Sequence, residues 1–245
     1  MDLEGQQKQD PAGLETLELF SQTHSFNRWL FDSIASYCRG SILEIGSGIG
    51  NISKYLLQMQ GPVTLTDLRA EYCNKLTSLF SGRPSLEAVC QLDISSPVFE
   101  QAYPSLLHRF DTVVALNVIE HIRNDALAVN NCKNLLRKNG LLIVLVPAYQ
   151  WLFNTLDVEL GHFKRYRAES LKHLLQAQGM EVVHTRYFNS AAMPGWWLAG
   201  SVMKKKIVPY GQLKLYNRMV PAFRMLDRLL MHQTGLSVIA VAKPF

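Results

Sequence analysis

The sequence predicts an α/β fold in which a doubly wound, largely parallel sheet is covered on both faces. Two observations predict it. Short apolar runs alternate with amphipathic segments along the first 150 residues. Several of them also end on a residue suited to a ligand: Gly46, Asp67, Asp93 and Asn117. Strands buried on both faces read as continuous apolar runs, and ligands of such sheets bind outside the carboxyl ends of the strands.

Taken in order, residues 1–20 read as a loose leader, acidic and polar, with no basic segment followed by an apolar one and so no secretory signal. "SFNRWLFDSIASYC" (25–38) sets Phe26, Trp29, Leu30, Ser33, Ile34 and Tyr37 at helical spacing. "SILEI" is a strand, "NISKYLLQM" a helix, "PVTLTD" a strand, "LRAEYCNKLTSLF" a helix, and "LEAVCQLDI" and "FDTVVALNV" two further strands. "NDALAVNNCKNLLRKNG" is a helix closed by Gly140, and "LLIVLVP" a strand. An aromatic and basic connection over 150–168 precedes a helix, "ESLKHLLQAQG", and a strand, "MEVVHTRYF". Residues 190–232 add two helical patterns before the final strand, "LSVIAVAKP". Residues 21–245 are expected to form a single domain.

A chain of 245 residues can bury a sizeable core, and 48% hydrophobic with 18% charged residues excludes a disordered chain. The apolar stretch 191–203 falls short of the roughly 20 residues of a membrane span. Cys38, Cys73, Cys90 and Cys132 form no CxxC, which indicates neither zinc nor a disulfide framework and fits a reduced, cytoplasmic chain. Charge is unevenly placed. Residues 1–160 hold 12 Lys and Arg against 17 Asp and Glu, net −5, while 161–245 hold 13 against 3, net +10. A basic last third fits an anionic partner or a solvated basic face.

In "SILEIGSGIGNIS" (41–53) three glycines stand at alternate positions behind a strand. Such a turn brings bare backbone against a ligand. A dinucleotide fold would require G-x-G-x-x-G, but Asn51 occupies the last glycine's place, and Glu44, two residues before the turn, suits a cationic ligand rather than a pyrophosphate. Asp67 can accept the hydroxyl protons of a ribose. Asp93 can accept from an adenine amine, with Ile94 on the ring face. A cationic amino-acid tail, a ribose and an adenine together describe S-adenosylmethionine (SAM).

With these motifs the sequence resembles the class I SAM-dependent methyltransferases, through "ILEIGSGIGN", "LTD", "QLDI" and "FDTVVALNVIEHI", over about residues 25–188 and the last strand. The resemblance implies a Rossmann-like seven-stranded sheet with the last strand antiparallel and, here, a helical insertion before it. It implies SAM as methyl donor, S-adenosylhomocysteine as product, and a cofactor site of Glu44, Gly46, Ser47, Gly48, Gly50, Asn51, Asp67, Leu68, Asp93, Ile94, Asn117 and Val118. "LGHFKRYRAESLKHLLQAQGMEVV" and "FNSAAMPGWWLAGSV" are similar to a bacterial subgroup encountered beside glycosyltransferases and lipid-linked sugar pathways.

Methyl transfer is an in-line displacement that needs alignment and, for a hydroxyl acceptor, removal of a proton. In "GHFKRY", His162 is the expected general base, the alternative being a lid-orienting histidine, and His121 is expected to border the acceptor pocket. The 150–168 loop closes over the acceptor, with Arg165 and Arg167 available to an anionic group and Tyr166, Trp196 and Trp197 lining the substrate side. Trp29 and Asn27 either close over the cofactor or, for Trp29, sit in the core. Some ubiquinone-pathway O-methyltransferases bind a divalent cation through E-x-x-E-H, but Asn117 replaces the first carboxylate here, so no dedicated metal site is expected from Glu120 and His121. The expected acceptor is a small or lipid-linked, anionic molecule, methylated at oxygen. "NVIEHI" lacks the [DNS]-P-P-[YF] of base-amino methylases, which disfavours nucleic acid; a non-catalytic SAM-binding protein is the remaining alternative. In the insertion, Leu215, Met219, Phe223, Leu226, Leu229 and Leu230 share a helix face. The segment is read either as a peripheral contact with the inner membrane surface through 193–206 or as a helical pair capping the pocket or joining two subunits.

Overall fold

The computed structural model describes residues 11–206 and 210–245. Seven strands form one sheet: β1 (Ile42–Ile45), β2 (Val63–Asp67), β3 (Leu86–Gln91), β4 (Phe110–Leu116), β5 (Leu136–Pro147), β6 (Met180–Phe188) and β7 (Ser237–Pro244). Their spatial order is β3-β2-β1-β4-β5-β7-β6, with β7 antiparallel to both neighbours. Strand order therefore reverses between β1 and β4, the place where such sheets open a crevice at their carboxyl ends.

All four side chains of β1 are buried, because both sheet faces are covered. Leu43 and Ile45 enter one core with α5 (Phe99–Ala102), α6 (Asp125–Leu135) and α8 (Ala168–Ala177). Ile42 enters the other with α2 (His24–Asp32), α3 (Ser53–Leu56), α4 (Ala70–Phe80) and α10 (Tyr210–Leu229). The strand period of two sets Glu44 on the Ile42 face, buried under the glycine turn.

Three expectations change, and for Trp29 the core alternative holds. The latter half of the supposed leader is a helix, α1 (Pro11–Ser21), whose Leu17 lies over the glycine turn; residues 1–10 lie outside the described residues. Gly140 does not close α6. That helix ends at Leu135, and β5 pairs Leu136 with Phe110 before resuming at Leu141 with Thr112, so residues 137–140 bulge through Asn139 in the left-handed region. Trp29 belongs to the core, packed on Phe188 at 4.5 Å, and Asn27 donates to the Phe20 carbonyl, so neither closes over a cofactor.

On α10 most of the apolar stripe read from the sequence faces outward. Leu213 and Val220 are buried with Asp227, and Tyr216 and Phe223 pack beside them, whereas Leu215, Met219, Leu226, Leu229 and Leu230 are exposed. Asp227 is fully buried and accepts from the Asn189 and Ser190 backbone amides (2.7 and 2.9 Å) and the Ser190 hydroxyl (2.5 Å). It ties α10 to the turn after β6. Among the described residues no helix is long and apolar enough to cross a membrane.

Candidate active site

The turn after β1 stands at the switch point. Gly46, Gly48 and Gly50 all adopt positive φ (68°, 54° and 86°), a region glycine enters without strain. A Cβ on Gly46 would lie 2.6 Å from Val118 Cγ2, so the turns after β1 and β4 touch across the crevice. Asp67, at the end of β2, accepts from the Gly48 amide (2.9 Å) and the Arg69 amide (3.0 Å), which fixes the turn against the second strand. Burial raises the Asp67 pKa against these hydrogen bonds.

Glu44 accepts a short hydrogen bond from the Ser53 hydroxyl, so the carboxylate spans the base of the turn rather than projecting from it. Burial pushes its pKa up to about 7, the Ser53 and Ser47 hydrogen bonds pulling it down and the Asp67 charge adding to the rise. Ser47 is buried and donates its amide to the Thr66 carbonyl. Asn51 donates to the Leu17 carbonyl and so holds α1 over the turn. Leu68 is exposed beside Asp67, whereas Ile94 is buried in the core rather than presented to a ring. Asp93 caps its own turn, accepting from the Ser95 amide and hydroxyl (2.9 and 2.6 Å). Asn117, exposed at the end of β4, has φ +54°.

Across the crevice, a 3-10 turn over Ile119–His121 carries Glu120 and His121. The His121 ring meets His162 edge-on with centroids 4.8 Å apart. His162 arrives on the 150–168 loop, which the bond from the Phe163 amide to the Glu120 carbonyl (2.8 Å) holds to the 3-10 turn. Asp157, on α7 (Thr155–Glu159), is fully buried and bonds His162 Nδ1 and Arg165 Nε, each at 2.8 Å. Burial works against its carboxylate, but His162 and Arg165 outweigh it and hold the pKa below the ordinary range. Glu120 is fully buried, and burial pushes its pKa up to about 8.

A methyltransferase-domain family model matches residues 18–185, more than half of the chain. The chain belongs to the class I SAM-dependent methyltransferase family. Relatives of this methyltransferase include a highly reducing polyketide synthase of Pyrenophora dematioidea, 31% identical over 121 residues, which are 46% of this chain and 5% of that protein. A hybrid PKS-NRPS synthetase of Penicillium oxalicum is 25% identical over 166 residues, 66% of this chain and 3% of that protein. The chain thus spans a twentieth or less of these relatives. Solved structures also share its fold. The CurJ carbon methyltransferase has TM-score 0.55 and 18% identity, with 90% of this chain and 53% of that chain covered. A SAM-dependent methyltransferase from Clostridium acetobutylicum has TM-score 0.57 and 11% identity, with 91% and 92% covered.

On the acceptor side of this methyltransferase two assigned residues prove structural. Arg165 is enclosed: its Nη1 donates to the Ala148 carbonyl (3.0 Å), its Nε holds Asp157, and its guanidinium lies 4.9 Å from the Trp196 ring. It braces the loop instead of gripping an anion. Tyr166 is buried and donates to Asp125 Oδ2 (2.9 Å). Arg167 is exposed at the start of α8, and its amide bonds Ser170. Trp197, at the end of α9 (Ala192–Trp197), lines an apolar groove of about 470 Å³ with Trp151, Met193, Pro194, Leu226 and Leu230. The sequence reading missed Tyr149, which follows β5 with φ +61° and stacks on Tyr187 at 5.0 Å. It also missed Asp157, whose pairing with His162 across five residues has no motif of its own.

Proposed function

We propose that the chain transfers the methyl group of SAM to a hydroxyl of a small or lipid-linked acceptor. The glycine turn carries the reading: three left-handed glycines at the switch point, with Asp67 beneath one amide and Glu44 beneath the turn. A sulfonium and an ammonium sit above these carboxylates, and Asp67 has lone pairs left for ribose hydroxyls. The acceptor oxygen attacks the methyl carbon as the carbon–sulfur bond breaks, S-adenosylhomocysteine leaves, and the hydroxyl proton passes to His162, which Asp157 orients. A second reading, transfer to carbon, is favoured by the shared fold of the CurJ carbon methyltransferase, and locating the methyl group in the product by NMR separates the two.

Calorimetry of SAM binding tests the first step. Glu44 must be ionised to favour a cation, and its pKa in the free protein is about 7. The affinity is therefore expected to fall about tenfold from pH 8 to pH 6. The same sign appears in stability: the raised pKa makes the unliganded fold lose stability as pH rises from the mid-4s through 7. In Glu44→Gln the pH dependence of binding should flatten to that of the ligand alone. Absence of SAM binding to the wild type ends the proposal, and an unchanged slope in the variant removes Glu44 from it.

The acceptor's lipid character is supported by the groove and by the surface around it. Trp197, Leu198, Val202 and Met203 are exposed, and Trp197 shares the groove with Leu226 of the outward face of α10. Lys204, Lys205, Lys214, Arg218 and Arg228 have no carboxylate partner among the described residues, whereas Lys206 pairs with Glu159 and Arg224 with Asp32. An apolar face bordered by such charges suits an anionic bilayer surface. In flotation assays the protein should rise with vesicles containing phosphatidylglycerol. Reversing Lys204, Lys205 and Arg218 to Glu should remove most of that binding, since each basic residue near such a surface contributes about 1 kcal/mol. Failure of the wild type to float retires the membrane contact.

A further inference from the structure

Glu120 poses a problem that methyl transfer alone leaves open. It has no exposed surface, and neither carboxylate oxygen has a hydrogen-bond partner. Polar groups buried this deeply are nearly always satisfied, because stripping a carboxylate of water without a partner is costly. Two imidazoles lie beside it, and the Arg165 guanidinium and Asp157 carboxylate act on it through charge without bonding it. Glu120, His121 and His162 each offer a ligand atom, and these atoms all lie within 4.8 Å of one another. Ligands held 2.0–2.2 Å from one ion stand roughly 3–4 Å apart, so small side-chain rotations suffice.

We propose that Glu120, His121 and His162 form a binding site for a first-row divalent transition-metal cation. The supporting shell is in place. The Asp157 carboxylate holds His162 Nδ1 and thereby turns Nε2 to the ion, an arrangement that fixes both tautomer and ring orientation. Asp157 is itself held by Arg165 Nε and by the Asn154 amide (3.0 Å). The backbone bond from Phe163 to Glu120 locks the two ligand-bearing segments together before any ion arrives. His121 is exposed and gives the ion a way in. Two imidazoles and one carboxylate suit Zn²⁺, Fe²⁺, Mn²⁺ or Co²⁺, whereas Mg²⁺ and Ca²⁺ favour all-oxygen sites. The third ligand comes from the loop after β5, which is why "NVIEHI" by itself offered only two.

The site rests on the proposed methyl transfer for its purpose but not for its test. A cation with three protein ligands keeps positions open for the acceptor hydroxyl and lowers its pKa. With an ion bound, His162 would serve as a ligand beside Glu120 and His121, and the proton-accepting role assigned to it above would belong to the metal-free protein.

Metal-stripped full-length protein is titrated with Co²⁺ and followed by visible absorption and by bound cobalt per chain. One Co²⁺ per chain is expected, with Kd at or below about 10 µM and displacement by Zn²⁺. Glu120→Gln and His121→Ala should each weaken binding at least about 50-fold, ligand losses exceeding the 10–100-fold typical of outer-shell ones at their lower end. Should Glu120→Gln fail to fold, the exposed His121 carries the comparison. No cobalt uptake by the wild type, or equal uptake by the variants that fold, overturns the site. SAM calorimetry on the same stripped sample separates the two ideas: SAM binding without cobalt binding sinks only the metal site, and cobalt binding without SAM binding sinks only the methyl transfer.

Discussion

Replacing His162 by alanine is expected to lower kcat about 100- to 1,000-fold, the range of a positioned proton acceptor, while SAM affinity stays within about twofold. The side chain is held on a fully buried carboxylate, against His121, and on a loop fastened to the turn after β4. None of these contacts involves the glycine turn, so the cofactor half of the crevice should be untouched. A histidine that only positions the lid predicts a different split. Acceptor KM would rise, and turnover at saturating acceptor would return to the wild-type value. Steady-state kinetics with any acceptor that supports S-adenosylhomocysteine release decides between the two, and recovered kcat at saturation would remove His162 from the chemistry.

The cofactor half was legible in the sequence because its signals are local. A glycine that must take positive φ, a strand-ending carboxylate and an apolar run each show themselves within a few residues, and Gly46, Asp67 and Asn117 stand where the strands end. The acceptor half was not, because its roles come from partners distant in the fold. Arg165 and Tyr166 looked like ligand-facing polar residues until Asp157 and Asp125 took their donors. Glu120 offered no third ligand within its own motif, whereas it lies in a 3-10 turn near an imidazole from another loop. On α10 helix period left the inward face open. Both of its stripes are apolar, and periodicity tells which residues share a face without telling which face turns inward. The inward face is chosen by Asp227, which must reach two amides after β6.

That choice leads to the largest expected effect on stability. Asp227→Ala leaves the amides of Asn189 and Ser190 and the Ser190 hydroxyl without their acceptor, and both residues are buried. A buried donor left unpaired costs about 1–3 kcal/mol, so the variant is expected to lose roughly 2–5 kcal/mol. For a chain of this size that corresponds to a fall in Tm of roughly 5–15 °C. Asp227→Asn keeps one oxygen acceptor in the same shape and should lose less than half as much. The damage should also be directional. Asn189 has φ +68° and accepts from Tyr216, so losing the anchor frees α10, α9 and the groove between them, while the glycine turn follows β1, with β4, β5 and β7 between it and β6. SAM binding by the folded variant should therefore be close to wild type even as its melting point falls. An Asp227→Ala protein that melts within about 1 kcal/mol of the wild type would mean that apolar packing alone orients α10. The outward position of Leu226 and Leu230, and with it the apolar groove, would then need another cause.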